Sequence, residues 1–377
     1  MKKNIRIIFM ISILVLATLF LFLAIQRSNM RRQIPYDPLY SRQWYLQNKA
    51  QNIIIPPARI DHTDFTTEEI ILNSNVNLGV TDFWESYQKK SSKELTIAIL
   101  DSCADIRHDD LKTHIWINNG EIADNGLDDD GNGYIDDYYG WNFYSNTNIV
   151  YGTDENAAHG THCAGIIAAA HNGSGIMGIL GNTNVKLMVL PIYGGEELNA
   201  DNLVSAIHYA DIMGADICNI SCVFHDGKDK ISDVIQNSSM YFVAAAGNFQ
   251  NQYINGLNLD NYERFPACCQ NSRMITAGSI NAQKKGSLFS NYSPNFVDIA
   301  APGEYIYSTL PNGDYGYQNG TSLSAPIVTG ILGAYYYLYT DTIEEAVELL
   351  LSNAETDAAL QEKIYQGRIV KFASPIK

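Results

Sequence analysis

Three side chains in this sequence have the types that nucleophilic catalysis requires: a carboxylate, an imidazole and a hydroxyl. Asp101 ends the apolar run LTIAIL, His159 begins the small-residue stretch HGTHCAG, and Ser322 lies in NGTSLSAP at the start of another apolar segment. An imidazole can take the proton of a serine hydroxyl when a carboxylate holds the ring in the required tautomer. Each residue alone has an ordinary structural explanation, namely a turn cap, a packing accident or a helix N-cap. Their shared position, where a strand ends or a buried helix begins, favours an Asp-His-Ser site.

The segments around these side chains predict the fold that would bring them together. Apolar runs of strand length alternate with helical patterns along the chain. The expected strands are residues 95–100, 185–190, 215–221 and 241–246. The expected helices are residues 162–170, 201–213 and 230–238. Continuously apolar strands separated by helices predict an α/β fold with a parallel sheet that is covered on both faces and carries its sites at the carboxyl ends of the strands.

Several sequence blocks carry a family resemblance. DSCAD, RHDDL, HGTHCAG, AAAGN and NGTSLSAP follow one another in the order of the subtilisin-like serine proteases, and FSNY and VDIAAPG match as well. The resemblance covers about residues 37–375 and implies the three-layer subtilisin-like fold, a doubly wound, mostly parallel sheet with helices on both faces. It implies Ser322 as the nucleophile, His159 as general base and acid, and Asp101 as the residue that orients the imidazole. It also implies that Asn248 is the side-chain donor of the oxyanion hole.

The segments expected to bind substrate depart from the family pattern. The resemblance assigns contact with an extended peptide to Ser221, Cys222 and Val223 on one side and to Ala245, Ala246 and Gly247 on the other. Related proteases carry Ser-Leu-Gly-Gly in the first segment, so Val223 replaces a glycine beside the primary specificity pocket. A branched side chain there predicts a narrowed pocket or altered backbone pairing, and therefore a restricted substrate.

The cysteines do not suggest a disulfide or zinc framework. There are six in 377 residues, no pair has zinc-finger spacing and most lie in apolar segments, which favours free, buried thiols. Cys103 replaces the glycine that usually follows the Asp-Ser pair, which puts a thiol near Asp101. Cys163 resembles the cysteine that one branch of the family places beneath the catalytic histidine, and His162 before it matches a structural position that faces away from the substrate.

An acidic segment, DNGLDDDGNGYIDD, predicts a second kind of site. Asp128, Asp130 and Asn132 alternate along it and a glycine follows them, as at the start of a calcium loop. The expected ligands are Asp128, Asp130, Asn132, the carbonyl of Tyr134, and Asp136 or Asp137. The twelfth position is tyrosine instead of glutamate, so the loop is a shortened variant, and similar loops occur in a bacterial branch of the family. We expect structural calcium here; the alternative is a solvated Asx-turn.

Charge is distributed unevenly along the chain. The net charge is −16, but residues 1–32 contain six basic residues and no acidic one, which leaves 19 basic and 41 acidic residues for the remainder. A body this acidic repels phosphate backbones, so we expect no nucleic-acid partner. Divalent cations are plausible partners for the same reason.

The N-terminal region predicts a transmembrane helix. Residues 7–26 are uncharged and would extend about 30 Å as a helix, enough to cross a bilayer. The run is longer than a typical signal-peptide core and no clear cleavage site follows it, so we expect an uncleaved signal anchor; a cleaved signal peptide is the alternative. Basic residues flank both sides, but the short basic tail favours a cytoplasmic N-terminus and an extracytoplasmic body.

Three regions are therefore expected: an anchor over residues 1–32, an N-terminal extension over residues 33–90 and a catalytic domain over residues 91–377. Residues 37–44 already resemble the start of the catalytic domain, so no folded prodomain is expected before it. The expected protein is a monomeric, membrane-anchored serine endopeptidase that cleaves a peptide or protein substrate through a Ser322 acyl-enzyme. Two alternatives remain open: a non-catalytic peptide-binding protein on a protease scaffold, and a ligase that transfers a peptidyl group with the same residues.

Overall fold

The computed structural model describes residues 36–46, 52–55, 59–60, 64–65, 70–87, 91–195 and 198–375. Asp37–Lys377 forms one compact unit. The predicted membrane segment, residues 7–26, lies outside the described residues. Among the helices that are described, none is both long and apolar enough to cross a membrane.

Strands and helices alternate through most of the described chain. The strands are β1 (Asn52–Ile55), β2 (Arg59–Ile60), β3 (Asp64–Phe65), β4 (Ile70–Asn73), β5 (Leu95–Asp101), β6 (Val185–Pro191), β7 (Ile217–Ile220), β8 (Tyr241–Ala245), β9 (Met274–Ile280), β10 (Ile299–Pro302), β11 (Ile306–Leu310), β12 (Asp314–Gln318), β13 (Glu355–Thr356) and β14 (Arg368–Ile369). The α-helices are α1 (Val80–Ser86), α2 (Ala158–Ala168), α3 (Ala200–Ile212), α4 (Lys228–Asn237), α5 (Thr321–Tyr339) and α6 (Ile343–Ser352).

Eight of these strands form the central sheet, in the order β13-β14-β10-β9-β8-β7-β5-β6. Neighbouring strands of this sheet run parallel except β13, which is antiparallel to β14. Two smaller sheets accompany it, one pairing β1 with β4 and one with the order β11-β12-β2-β3. The predicted α/β fold with a mostly parallel sheet is therefore confirmed.

Both faces of the central sheet are covered by other parts of the chain. Ile97, Ala98, Ile99 and Leu100 are consecutive residues of β5, and all are fully buried. Because successive strand residues point to opposite faces, water is excluded from both sides. In the surrounding layers α2 packs against α5, and α3 packs against α4.

The winding of the sheet reverses at β5. This strand pairs with β6 on one side and with β7 on the other, and the sheet continues from β7 through β8 and β9 to β10. The register aligns Asp101, the last residue of β5, with Pro191, the last residue of β6. In doubly wound sheets a crevice opens outside the carboxyl ends of the strands where the winding reverses. Asp101 lies at that edge.

Helix α2 begins earlier than the sequence pattern predicted. It starts at Ala158 instead of residue 162, so His159 lies within its first turn. Histidine, glycine and threonine are weak helix formers, which is why the pattern did not include this turn. Packing favours it nevertheless: a side chain at Gly160 would come within 2.7 Å of the carbonyl oxygen of Ser102, so the helix start lies directly on the backbone after β5.

Candidate active site

The site is built first from Asp101 and His159. Asp101 is fully buried, and its Oδ1 and Oδ2 lie 2.8 Å and 3.0 Å from Nδ1 of His159. The backbone N–H of Ser102 donates to Oδ1 at 2.7 Å. The last residue of β5 and the first turn of α2 thus hold the pair together. With the Nδ1 hydrogen donated to the carboxylate, Nε2 is the nitrogen left to accept a proton.

This contact changes the pKa of both groups. Burial alone would raise the pKa of Asp101, but the charge and the hydrogen bond of His159 hold it below 3.8, the usual value. Burial would lower the pKa of His159, but the Asp101 charge raises it well above 6.5. The carboxylate therefore stabilises the imidazolium, which is the form that a histidine takes after accepting a proton.

Ser322 lies in the first turn of α5, where Gly320 leaves room for two polar side chains. A side chain at Gly320 would come within 2.7 Å of Ser322 Oγ and 3.3 Å of Asn248 Nδ2. The serine hydroxyl and the asparagine amide therefore lie on the same side of the Gly320 backbone. Only a residue without a side chain permits this arrangement.

The Asn248 amide is oriented by the start of α5. Its Oδ1 accepts hydrogen bonds from the backbone N–H and the hydroxyl of Thr321, both at 2.9 Å. With Oδ1 held in this way, Nδ2 is turned toward the Ser322 side. Asn248 is exposed to solvent. A fixed N–H donor beside a serine hydroxyl is what an oxyanion hole requires.

The backbone carbonyl of Ser322 is held by residues outside its own helix. Pro326 has no N–H and cannot supply the helical hydrogen bond to the carbonyl four residues earlier. Ser221 Oγ donates to this carbonyl at 2.9 Å, and Cys163 Sγ lies 3.6 Å from it. The Ser221 hydroxyl, predicted to lie at the substrate strand, is therefore engaged with α5. Because Cys163 Sγ is also 3.9 Å from Nδ1 of His159, one thiol separates the imidazole from the Ser322 backbone.

Val223 packs against the segment that the sequence analysis placed opposite it. Gly247 has φ of +88°, and a side chain there would come within 2.7 Å of Val223 Cγ2. Ala245 and Ala246 are buried, and Cys222 is half-buried. The Val223 methyl groups thus occupy the space beside Gly247.

All six cysteines are free, as predicted. Cys103 Sγ accepts a hydrogen bond from Asn142 Nδ2 at 3.5 Å, and burial raises the pKa of this thiol to about 11. His162 is fully buried, with Nε2 at 3.2 Å from the carbonyl oxygen of Gly316. Burial lowers the pKa of His162 to about 3, so it is neutral and tied to β12.

The acidic loop between β5 and α2 brings together some of the predicted metal ligands. Carboxylate oxygens of Asp128 and Asp130 lie within 4.8 Å of each other and of Glu121. The two oxygens of Asp128 accept hydrogen bonds from the backbone N–H groups of Asn132 at 3.0 Å and Gly133 at 2.9 Å. These bonds close a tight turn over residues 128–133. Within this turn the carboxylates of Asp128 and Asp130 lie close to that of Glu121.

Glu121 is a candidate ligand that the sequence analysis missed. It is 5% exposed, and its Oε1 accepts hydrogen bonds from the backbone N–H groups of Asp129 and Asp130. Its Oε2 is buried and has no hydrogen-bond partner in the part of the chain that the structure describes. A buried carboxylate oxygen without a partner is costly unless a cation neutralises it. Glu121 precedes the loop motif, so the spacing rule for calcium loops did not include it.

The side chains of two other predicted ligands are engaged elsewhere. Asp136 accepts hydrogen bonds from the backbone N–H groups of Asn125 and Gly126, both at 2.9 Å, and does not join the Glu121 group. Asp137 is fully buried and accepts a hydrogen bond from the Tyr209 hydroxyl at 2.5 Å. The Tyr134 ring packs edge-on against the same tyrosine, with ring centres 5.0 Å apart. These contacts anchor the C-terminal half of the loop to α3.

Tyr193 is a second residue of the site that the sequence analysis missed. It follows the end of β6, and its hydroxyl donates to Asp101 Oδ1 at 2.8 Å and lies 3.2 Å from His159 Nδ1. The rule that the carboxyl ends of neighbouring parallel strands share an edge could have identified it, because β6 ends in register with β5.

The chain is similar in sequence to several known proteases. Residues 92–367 match the sequence model described as "Subtilase family". The chain is 29% identical over 314 residues to "Subtilisin-like protease 1" of Plasmodium berghei; the match covers 78% of this chain and 52% of that protein, so the chain spans about half the length of this relative. It is 30% identical over 273 residues to the "Major intracellular serine protease" of Bacillus subtilis. This match covers 71% of this chain and 75% of that protein.

Solved structures share the fold. A structure of proteases from Pseudoalteromonas arctica superposes with a TM-score of 0.61 and 21% sequence identity, covering 90% of this chain and 97% of that one. The structure that describes subtilase cytotoxin SubAB assembly gives a TM-score of 0.60 at 21% identity and covers 78% and 91% of the two chains. These likenesses establish the three-dimensional arrangement of the sheet and helices.

Proposed function

The chain belongs to the subtilase family, and from this membership we propose that it is a serine endopeptidase that hydrolyses peptide bonds through a Ser322 acyl-enzyme. The observation that supports this most strongly is the contact between the buried Asp101 carboxylate and Nδ1 of His159. Ser322 and Asn248 lie on the same side of the Gly320 backbone, and Cys163 Sγ lies close to both His159 Nδ1 and the Ser322 carbonyl oxygen. This set provides a nucleophile, a base, a group that orients the base and an oxyanion donor.

The proposed reaction begins when Ser322 Oγ attacks the scissile carbonyl carbon while Nε2 of His159 takes the hydroxyl proton. Asp101 accepts a hydrogen bond from Nδ1–H of His159, so it keeps Nε2 free and stabilises the imidazolium as it forms. The imidazolium then gives its proton to the leaving amine. In the second half of the reaction, Nε2 takes a proton from a water molecule while the water oxygen attacks the acyl carbon. The imidazolium then returns this proton to Ser322 Oγ as the bond between Oγ and the acyl carbon breaks and the acid product leaves.

The negative oxygen that forms during each attack needs hydrogen-bond donors. Asn248 Nδ2 and the backbone N–H of Ser322, at the start of α5, are the donors that we propose. They act mainly on the transition state, because the developing oxyanion accepts stronger hydrogen bonds than the ground-state carbonyl oxygen.

Replacing Asn248 with alanine is therefore expected to lower kcat by about 10²- to 10³-fold with little change in KM, the effect known for the corresponding donor of subtilisin. Steady-state kinetics on a chromogenic peptide substrate would measure both constants. Asn237→Ala, an exposed asparagine at the end of α4, is the matched control and should leave both unchanged. A higher KM with kcat retained would instead show that Asn248 binds the ground state.

We also propose that Val223 restricts the substrate. Its methyl groups lie beside Gly247, where the side chain of the residue before the cleaved bond would enter. Val223→Gly is expected to raise kcat/KM about tenfold or more for peptides with a bulky residue there, and to change little for peptides with alanine. Profiling both proteins on a peptide library would measure this. An unchanged preference would place the specificity pocket elsewhere.

Calcium is the proposed cofactor, with a structural role in the loop between β5 and α2. Glu121, Asp128 and Asp130 would hold it, because their oxygens cluster and Glu121 Oε2 is otherwise unpaired among the described residues. Hard carboxylate oxygens are the ligands that calcium prefers. When bound, the ion would neutralise this cluster and rigidify the loop that leads from Asp101 to His159.

Removing calcium is expected to lower the melting temperature of the protein by about 5 °C or more, since an ion bound only by the folded state stabilises that state. Differential scanning calorimetry with calcium and with a chelator would measure the shift. Glu121→Gln should shrink the shift, whereas Glu362→Gln, at an exposed position outside the loop, should not. A calcium shift of equal size in both variants would exclude Glu121 as a ligand.

The function itself is tested by labelling the full chain with a fluorophosphonate, which reacts with activated serines. Labelling that Ser322→Ala abolishes would support the proposal, and a folded protein that is not labelled would instead favour a non-catalytic binding protein. Product analysis with an added amine nucleophile separates hydrolysis from peptidyl transfer. We further propose that residues 7–26 anchor the protein with its body outside the cytoplasm, which protease digestion of intact cells would test.

A further inference from the structure

We propose that Tyr193 is a positioning residue that shares the Asp101 carboxylate with His159 and thereby sets the orientation and proton affinity of the imidazole. The inference rests on the proposed function of this site. Tyr193 lies outside the sequence blocks that carry the family resemblance, and its role comes from the geometry at the ends of β5 and β6.

Three donors converge on a single oxygen of Asp101. Oδ1 accepts hydrogen bonds from His159 Nδ1 at 2.8 Å, from the Ser102 backbone N–H at 2.7 Å and from the Tyr193 hydroxyl at 2.8 Å. A carboxylate oxygen has two lone pairs, so three donors compete for it. The Nδ1 hydrogen of His159 is accordingly shared with Oδ2, which lies 3.0 Å away.

The Tyr193 hydroxyl also acts on the imidazole directly. Its oxygen is 3.2 Å from His159 Nδ1, and its own hydrogen points to Asp101. The oxygen lone pairs therefore face the Nδ1 hydrogen and provide a further acceptor for it. Two neighbouring acceptors, a carboxylate and a phenol oxygen, restrict the rotation of the imidazole ring.

Sharing the carboxylate weakens its hold on the imidazolium. Each donor to Asp101 spreads the negative charge and makes the carboxylate a poorer partner for the proton on Nδ1. Without the Tyr193 hydroxyl, the imidazolium would lose a neutral acceptor at 3.2 Å but would gain more of the carboxylate charge. Because a full charge acts on the imidazolium more strongly than a neutral dipole, the pKa of His159 would be higher. Tyr193 thus keeps the base closer to the pH range in which its neutral form can act.

The tyrosine can perform this role throughout the working pH range. Burial and the Asp101 charge raise the pKa of Tyr193 well above 10, so the hydroxyl keeps its proton. Three other titratable groups near the pair are neutral: burial raises the pKa of Cys163 and Cys222, and burial lowers that of His162. Asp101 is therefore the charge that governs His159, and Tyr193 modulates that charge.

The test is the variant Tyr193→Phe, which removes the hydroxyl and keeps the ring. The first measurement is an NMR titration of labelled histidine in the full chain carrying Ser322→Ala, with and without Tyr193→Phe, so that neither protein can digest itself. The second is the pH profile of kcat/KM for Tyr193→Phe with Ser322 intact. The matched control is Tyr365→Phe, a partly exposed tyrosine beside β14.

We expect Tyr193→Phe to raise the titration midpoint of His159 by about half a pH unit or more and to move the acid limb of kcat/KM upward by the same amount. Above that limb, kcat is expected to fall up to about tenfold because the ring is less restrained. Tyr365→Phe should change none of these. A merely structural role for Tyr193 would lower the melting temperature or the activity at every pH without moving the midpoint.

An unchanged or lowered His159 midpoint in Tyr193→Phe, with an unaltered melting curve, would overturn the inference. If the variant melts early, its titration is recorded at a temperature at which the melting curve shows it fully folded, and decides in the same way. Failure of the proposed function is seen separately, because the chain with Ser322 and Tyr193 intact would then show no hydrolysis while the histidine titration could still be recorded.

Discussion

Replacing Ser322 with alanine is expected to reduce kcat by on the order of 10⁶-fold, a magnitude known from the nucleophile of subtilisin and not calculated for this chain. No other hydroxyl is placed to replace it among the residues described at the site. Ser221, which lies nearby, donates its own hydrogen to the Ser322 carbonyl oxygen and is buried. Kinetics on a chromogenic peptide would measure the loss. The variant must be purified free of other proteases, because a trace of active enzyme would mask a change of this size.

The Ser322→Ala protein should keep its fold. The interactions of Ser221 and Cys163 are with the Ser322 backbone, so alanine retains them. Ser232→Ala, in α4, is a matched control and should be fully active. His159→Ala should lose about as much activity as Ser322→Ala, and combining the two should cost little more, because nucleophile and base act as one unit. Additive losses would show that the two residues act independently.

Replacing Asp101 with asparagine is expected to lower kcat by about 10⁴-fold, the loss known for the same change in a chymotrypsin-type triad. Asparagine has one acceptor oxygen, which the Ser102 N–H and the Tyr193 hydroxyl would occupy. Its NH₂ group would then face Nδ1 of His159 and donate to it. The ring proton would move to Nε2, which could no longer accept the proton of the serine.

The pH dependence of this variant has a defined sign. Asp101 raises the pKa of His159, so removing its charge lowers that pKa. The acid limb of kcat/KM, along which the base is lost by protonation, should therefore move to lower pH in Asp101→Asn, opposite to the shift expected for Tyr193→Phe. Asp216→Asn, which also alters an aspartate bound to a backbone N–H but at the amino end of the sheet, is the matched control. An acid limb that stays in place would contradict the proposed coupling.

Local patterns were sufficient for the elements that carry the site. The apolar strands around β5 to β8 could be recognised because strands buried on both faces need continuous apolar sequence. Their boundaries differ from prediction by one or two residues in most cases, since the terminal residues are polar or weakly structured. The start of α2 was displaced further because packing on the Ser102 backbone, and not helix propensity, decides it.

In the acidic loop between β5 and α2, sequence spacing predicted only some of the residues that cluster. The alternation of Asp128, Asp130 and Asn132 is a local pattern, and two of these residues do cluster. The side chain of Asp136 turns instead to the preceding backbone, and Glu121 enters from before the motif. The spacing rule for calcium loops counts positions along the motif, so it cannot include the carboxylate of Glu121, which precedes the motif and joins the cluster only through the fold.

The sequence by itself determined the fold class, the family and the residue types of the Asp-His-Ser set, because these depend on short patterns and on motifs that keep their order. Only the tertiary structure decided which groups surround that set. Tyr193 contacts Asp101 from the loop after a neighbouring strand, Ser221 bonds the Ser322 carbonyl because Pro326 cannot, and Val223 packs against Gly247. Each of these contacts joins residues that are tens to hundreds of positions apart or in separate elements, and their geometry depends on strand register and helix packing. No local pattern encodes such distances.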